Sequence, residues 1–172
     1  MVFSGGYPVY FALLGRWHTL CLTTSEQIII MNTEALLEPQ AQSLSDQVII
    51  QFPYGVLGFE GVKKYVLLAN PQDDPFMWLR MVDGAKKAFL IVSPFLVLPD
   101  YSPDIPAEDV EFLELAEAAD AFVFNICTLR GAGRATINLK GPLVINRHTM
   151  IGKQIIPNNA AQYPVIHPLP VA

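Results

Sequence analysis

The side chains that could do chemistry are few and scattered. Histidines stand at His18, His148 and His167, and none has a second ligand or an acid/base partner at a useful spacing. Cys21 and Cys127 lie far apart and form no metal-ligand pair, which speaks against a disulfide framework or a zinc site. Cys127 sits in an apolar run, Phe122 to Leu129, where a free thiol behaves as a small hydrophobe. Ser93, Ser102 and Thr136 lack the strand-turn-helix context of a nucleophile elbow. Gly131 and Gly133 lie between two strand-like runs and open no helix, so they make no phosphate-binding loop. An enzyme finds no foothold in these residues, and neither a metal nor a cofactor is expected.

Charge is the clearest irregularity. The chain has eleven Lys and Arg against sixteen Asp and Glu, a net −5, which argues against binding nucleic acid through phosphate neutralisation. Between Lys87 and Arg130 there is no cation at all, while Asp100, Asp104, Glu108, Asp109, Glu111, Glu114, Glu117 and Asp120 supply eight of the sixteen acids. That segment carries −8 and the remainder +3. The plain reading is a solvated loop and helix face. A sharper one is a docking surface for a basic partner, since opposed potentials speed encounter and set register. Asp100 and Asp104 are not accompanied by EF-hand spacing, so calcium is set aside.

Short elements must position these residues. With 172 residues the chain suits one domain, and 14 Pro beside 11 Gly suit many turns. No apolar run approaches the roughly 20 residues of a membrane-spanning helix, and a soluble protein of the reducing cytoplasm is expected. The run Val48 to Glu60 is a strand that Pro53 stops and Gly55 and Gly58 turn. Further β-branched and aromatic runs predict strands over 65–68, 76–82, 88–93, 121–129, 135–139, 143–146 and 154–156. Asp83-Gly84 predicts a two-residue hairpin turn, and Arg130 to Arg134 a looser hairpin. Pro106-Ala-Glu-Asp109 starts a short helix over 107–113, and 61–64 reads as a single helical turn. The sum is a mainly β chain, a single-domain antiparallel β-barrel or sandwich with one or two short helices. Residues 1–30 stand outside this rhythm and are read as an extension, with the domain over 31–172. Their apolar stretch from Tyr7 to Leu14 follows no Lys or Arg, so it makes a poor signal peptide.

Taken together, several blocks resemble one family, the bacterial flagellar assembly factor FliW. They are Phe52-Pro-Tyr-Gly-Val-Leu-Gly-Phe-Glu60, Pro75-Phe-Met-Trp-Leu79, Ala88-Phe-Leu-Ile-Val-Ser-Pro-Phe95, Asp100-Tyr101, Asn138-Leu-Lys-Gly-Pro-Leu-Val-Ile-Asn146, Lys153-Gln154 and His167-Pro-Leu169. The resemblance implies a non-enzymatic cytoplasmic protein that binds flagellin and antagonises CsrA, the RNA-binding repressor of flagellin translation. Synthesis would then track export through linked binding equilibria. Leu57 stands where the family usually has proline, which predicts a less rigid turn; Ser93, Ser102 and Ile166 are further departures. Combined with the charge pattern, the resemblance points to Asp100, Asp104, Glu108 and Asp109 as solvated CsrA-facing carboxylates, with Tyr101 as an aromatic anchor. The alternative is a small-ligand-binding β-barrel, for which the aromatics Phe76, Trp78 and Phe89 would line a cavity.

Overall fold

A computed structural model describes residues 31–32, 48–82, 87–130 and 134–169. The expected extension, 1–30, and both hairpin turns, 83–86 and 131–133, lie outside the described residues. Among the described residues ten strands form one antiparallel sheet: β1 Met31–Asn32, β2 Ile49–Gln51, β3 Lys64–Ala69, β4 Met77–Met81, β5 Lys87–Val92, β6 Ala121–Arg130, β7 Arg134–Ile137, β8 Leu143–Asn146, β9 Gly152–Gln154 and β10 His167–Leu169. One α-helix, α1 Ala107–Phe112, interrupts them. The mainly β, antiparallel expectation holds.

β2, β3, β4, β5 and β6 pair in sequence order, and the ten-residue β6 then divides its partners. Its first four residues pair with β8 and its last four with β7, while Asn125 and Ile126 face β5. From β8 the path continues to β9, which brings Ile151 back to Gln51 of β2. There the two ends meet through an isolated parallel bridge, with the Gln51 N–H donating to Met150 O at 2.9 Å. The sheet therefore curls into a barrel that no continuous ladder closes.

Alternation along the strands fills both faces. Phe89 and Ile91 of β5 join Ile50, Phe52, Tyr65, Leu79, Phe124 and Leu143 inside the curl, while Ala88, Leu90 and Val92 point to an outer cluster with Trp78, Cys127 and Ile137. Phe52, Trp78, Phe89 and Ile137 are buried as core residues, and Phe59 and Phe76 pack partly buried at its edges. The rings occupy the interior by touching one another: Phe52–Tyr65 centroids lie 5.2 Å apart and Phe59–Phe89 5.1 Å. Closure also explains Gly152, where any Cβ would meet the Phe52 ring at 2.7 Å.

Two local expectations change, and one strand is new. Residues 61–64 form no helical turn, because Lys63 O accepts the Phe52 N–H at 2.8 Å and Lys64 already belongs to β3. The strand expected at 154–156 is Gly152–Gln154 instead. Ile155 N–H still reaches Pro142 O at 2.9 Å, but proline has no donor to return and the ladder ends there. β10, unforeseen, pairs antiparallel with β7.

Candidate docking surface

The acidic segment is held against the barrel at many points. Pro106 precedes α1, and Glu108 and Asp109 occupy its first turn, where the helix dipole favours carboxylates. Behind the helix, Leu113, Val144 and Ile155 form a small core with Ile105, Phe112 and Leu115. Buried Asn146 closes the far end: its Nδ2 donates to Leu113 O at 2.8 Å and Glu114 O at 3.2 Å, and its Oδ1 accepts the His148 N–H at 2.7 Å. Backbone carbonyls that a short helix leaves orphaned are thereby satisfied.

The loop before α1 is equally fixed. The Tyr101 hydroxyl donates to Leu139 O at 2.8 Å, and its ring lies 4.6 Å from that of Tyr163. Asp104 N–H donates to Asn159 Oδ1 at 2.9 Å, and Asp104 O accepts Asn158 N–H at 2.8 Å. Asn159 Nδ2 and the Tyr163 hydroxyl both donate to Ser102 O, at 2.9 and 3.0 Å.

Two site expectations require correction. Tyr101 is no exposed anchor: it is 3% exposed, and burial pushes its phenol up to about 12. Its hydroxyl is a structural donor, so Tyr101→Phe is expected to strand the buried Leu139 carbonyl and destabilise by about 1–2 kcal/mol. Urea unfolding measures this, and an unchanged midpoint would show that water replaces the hydroxyl. Asp109 is not solvated either. It is 5% exposed and pairs with Lys153, whose ammonium also lies 5.2 Å from the Tyr54 ring centroid and 5.4 Å from that of Phe112. Asp100, Asp104 and Glu108 are exposed as expected, and so are Glu111, Glu114 and Glu117. Asp120 turns inward to cap a 3-10 turn, accepting Ala116 N–H at 3.1 Å and Glu117 N–H at 3.0 Å. The Glu117 bond is the main reason its carboxyl lies below the usual range, with His148 Nε2 at 3.0 Å adding to it. His148 thus has a partner that sequence spacing did not suggest.

Sequence reasoning also missed Lys153, Tyr54 and Gln154 as a group, although all three stand in the blocks that carry the resemblance. Gln154 Oε1 accepts the Leu57 N–H at 2.9 Å, and Glu60 Oε1 accepts the Gly58 N–H at 2.7 Å. The leucine in place of proline supplies a donor that proline lacks, and Gln154 uses it to tie the turn to β9. Cys127 is buried, and burial pushes its thiol up to about 12, far from a nucleophilic thiolate. Among the described residues no three His, Cys, Asp or Glu gather to hold a metal, and no helix is long and apolar enough to cross a membrane. An open cavity of about 400 Å³ lies at the rim of β7 and β10, lined by Arg130, Arg134, Thr136, Ile166 and Pro168, away from the curled core.

Fold and site together define a β-sheet protein, curled about an aromatic core, with a rigidly held acidic ridge on one flank. The chain belongs to the FliW family: the model described as FliW protein matches residues 26–169. It is similar to the flagellar assembly factor FliW of Bacillus licheniformis, 39% identical over 129 residues that cover 74% of this chain and 88% of that protein. A counterpart from Caldicellulosiruptor bescii is 40% identical over 114 residues, covering 66% of this chain and 74% of that one. A crystal structure of the flagellar assembly factor FliW superimposes with a TM-score of 0.67 at 32% identity, covering 74% of this chain and 89% of the other.

Proposed function

We propose that this flagellar assembly factor works without catalysis, in the cytoplasm, by binding flagellin and, when flagellin is exported, binding CsrA and relieving its repression of flagellin translation. The observation that carries the CsrA half is the ridge itself. Asp100, Asp104, Glu108, Glu111, Glu114 and Glu117 stay exposed on a segment that holds no Lys or Arg and whose backbone is pinned by Tyr101, Asn146, Asn158 and Asn159. A protein that binds RNA must present basic surface, and a fixed array of carboxylates offers it complementary potential in a set register. Partner exchange then needs only two linked equilibria.

The experiment replaces Asp104, Glu108 and Glu111 together with lysine and leaves the inward-facing Asp109 and Asp120 intact. Association with purified CsrA should slow at least about tenfold, and its dependence on salt should flatten as the Debye length shrinks from about 30 Å to about 8 Å. Flagellin binding and thermal stability should change little. An unaltered association rate with unaltered salt dependence would leave the ridge as a plain solvated face.

A further inference from the structure

Beside the ridge stands an exposed apolar feature. Leu57 is 74% exposed and Tyr54 60%, and both sit on the turn that leads from β2 to β3. Exposed leucines on loose loops are unremarkable, but this one stands on a backbone that is held at several points. Gly55 and Gly58 take positive φ of 75° and 81°, and at Gly55 a Cβ would fall 2.6 Å from Glu60 Cα. Val56, 1% exposed, roots the turn in the core, while Gln154 and Glu60 hold the Leu57 and Gly58 amides. A backbone fixed in this way has already lost the freedom that binding would otherwise remove from the loop.

The turn is also continuous with the acidic helix. Tyr54 packs on Phe112 of α1 with centroids 5.1 Å apart, and Lys153 between them gives its charge to Asp109. Glu108, one turn before Phe112 in α1, and Glu111, next to Phe112 in sequence, are both exposed.

We propose that Leu57 and Tyr54 form the apolar half of one docking surface whose acidic half is α1, and that its occupant is a basic amphipathic segment of a partner protein, with leucine-like residues on one side and Lys or Arg on the other. The identity of that partner as CsrA rests on the reading given under Proposed function. The anchor sought at Tyr101 is supplied by these two residues. Each half has its own kinetic signature: exposed charge governs encounter, and a desolvated apolar contact governs residence.

Leu57→Ser removes the apolar side chain without adding charge and keeps the backbone N–H that Gln154 holds. Rapid-mixing kinetics with purified CsrA should show dissociation faster by about tenfold or more, with the association rate and its salt dependence unchanged. The melting temperature serves as the fold control. Unchanged dissociation in the Leu57→Ser protein would overturn the apolar half, and the acidic reading would survive if the lysine variant of the ridge still slowed association. A loss confined to flagellin binding would equally overturn it. Failure of both variants to alter CsrA kinetics would instead remove the docking reading as a whole.

Discussion

Asp109→Lys is expected to cost the protein at least about 3 kcal/mol of stability, a large share of the roughly 5–15 kcal/mol that holds a domain folded. Asp109 faces inward from the first turn of α1 with 7% of its side chain exposed, and its carboxylate is paired with Lys153. Substituting lysine removes the partner of one half-buried cation and places a second beside it, within reach of the Tyr54 and Phe112 rings. Lys153 keeps 28% of its side chain in solvent and can swing partly outward, which holds the cost toward the lower end of the range for a broken buried pair. Because the pair links α1 to β9, the damage should include loss of the ridge geometry. Urea unfolding supplies the test, with an apolar double variant, Asp109→Leu and Lys153→Met, as the counterpart. Replacing both charges should recover most of the loss, since neither is then left unpaired. A single lysine variant as stable as the parent would mean that the pair is fully hydrated.

The same residue shows where sequence reasoning stops. β-branched and aromatic runs bounded by turn residues made β5 and β6 legible, because such composition depends only on neighbours in the chain. The start of α1 was legible from Pro106 and the acids after it for the same reason. Asp109 was not, since its burial is decided by Lys153, 44 positions away, just as that of Tyr101 is completed by Leu139, 38 positions away. In the sequence an acid that faces solvent and an acid that faces a distant lysine are identical. β10 escaped notice because Pro168 breaks its pattern, yet a short edge strand tolerates proline where its missing N–H faces away from the partner. The position of the ridge followed from composition; which of its carboxylates are free to bind did not.

Phe89→Ala is expected to be the most damaging truncation inside the curl, at about 3–5 kcal/mol. Phe89 is 1% exposed at the centre of β5, directly opposite Leu79 of β4. Its ring meets Phe59 edge-on at 5.1 Å and lies 6.3 Å from Tyr65, so its removal takes a partner from both the turn that carries Leu57 and the strand that follows it. The cavity would be lined by strands that hydrogen bond to one another on both sides and cannot easily collapse inward, which favours the upper part of the range. Denaturant unfolding should show a lowered midpoint with an unchanged slope, the sign of lost stability without a changed denatured state. If CsrA docks on the ridge as proposed, its association rate should survive under conditions where the variant remains folded, because the ridge is anchored to β8 and β9 through Asn146 and Lys153 and makes no use of Phe89. A loss below about 1 kcal/mol would mean that the two faces of β5 are exchanged relative to the core.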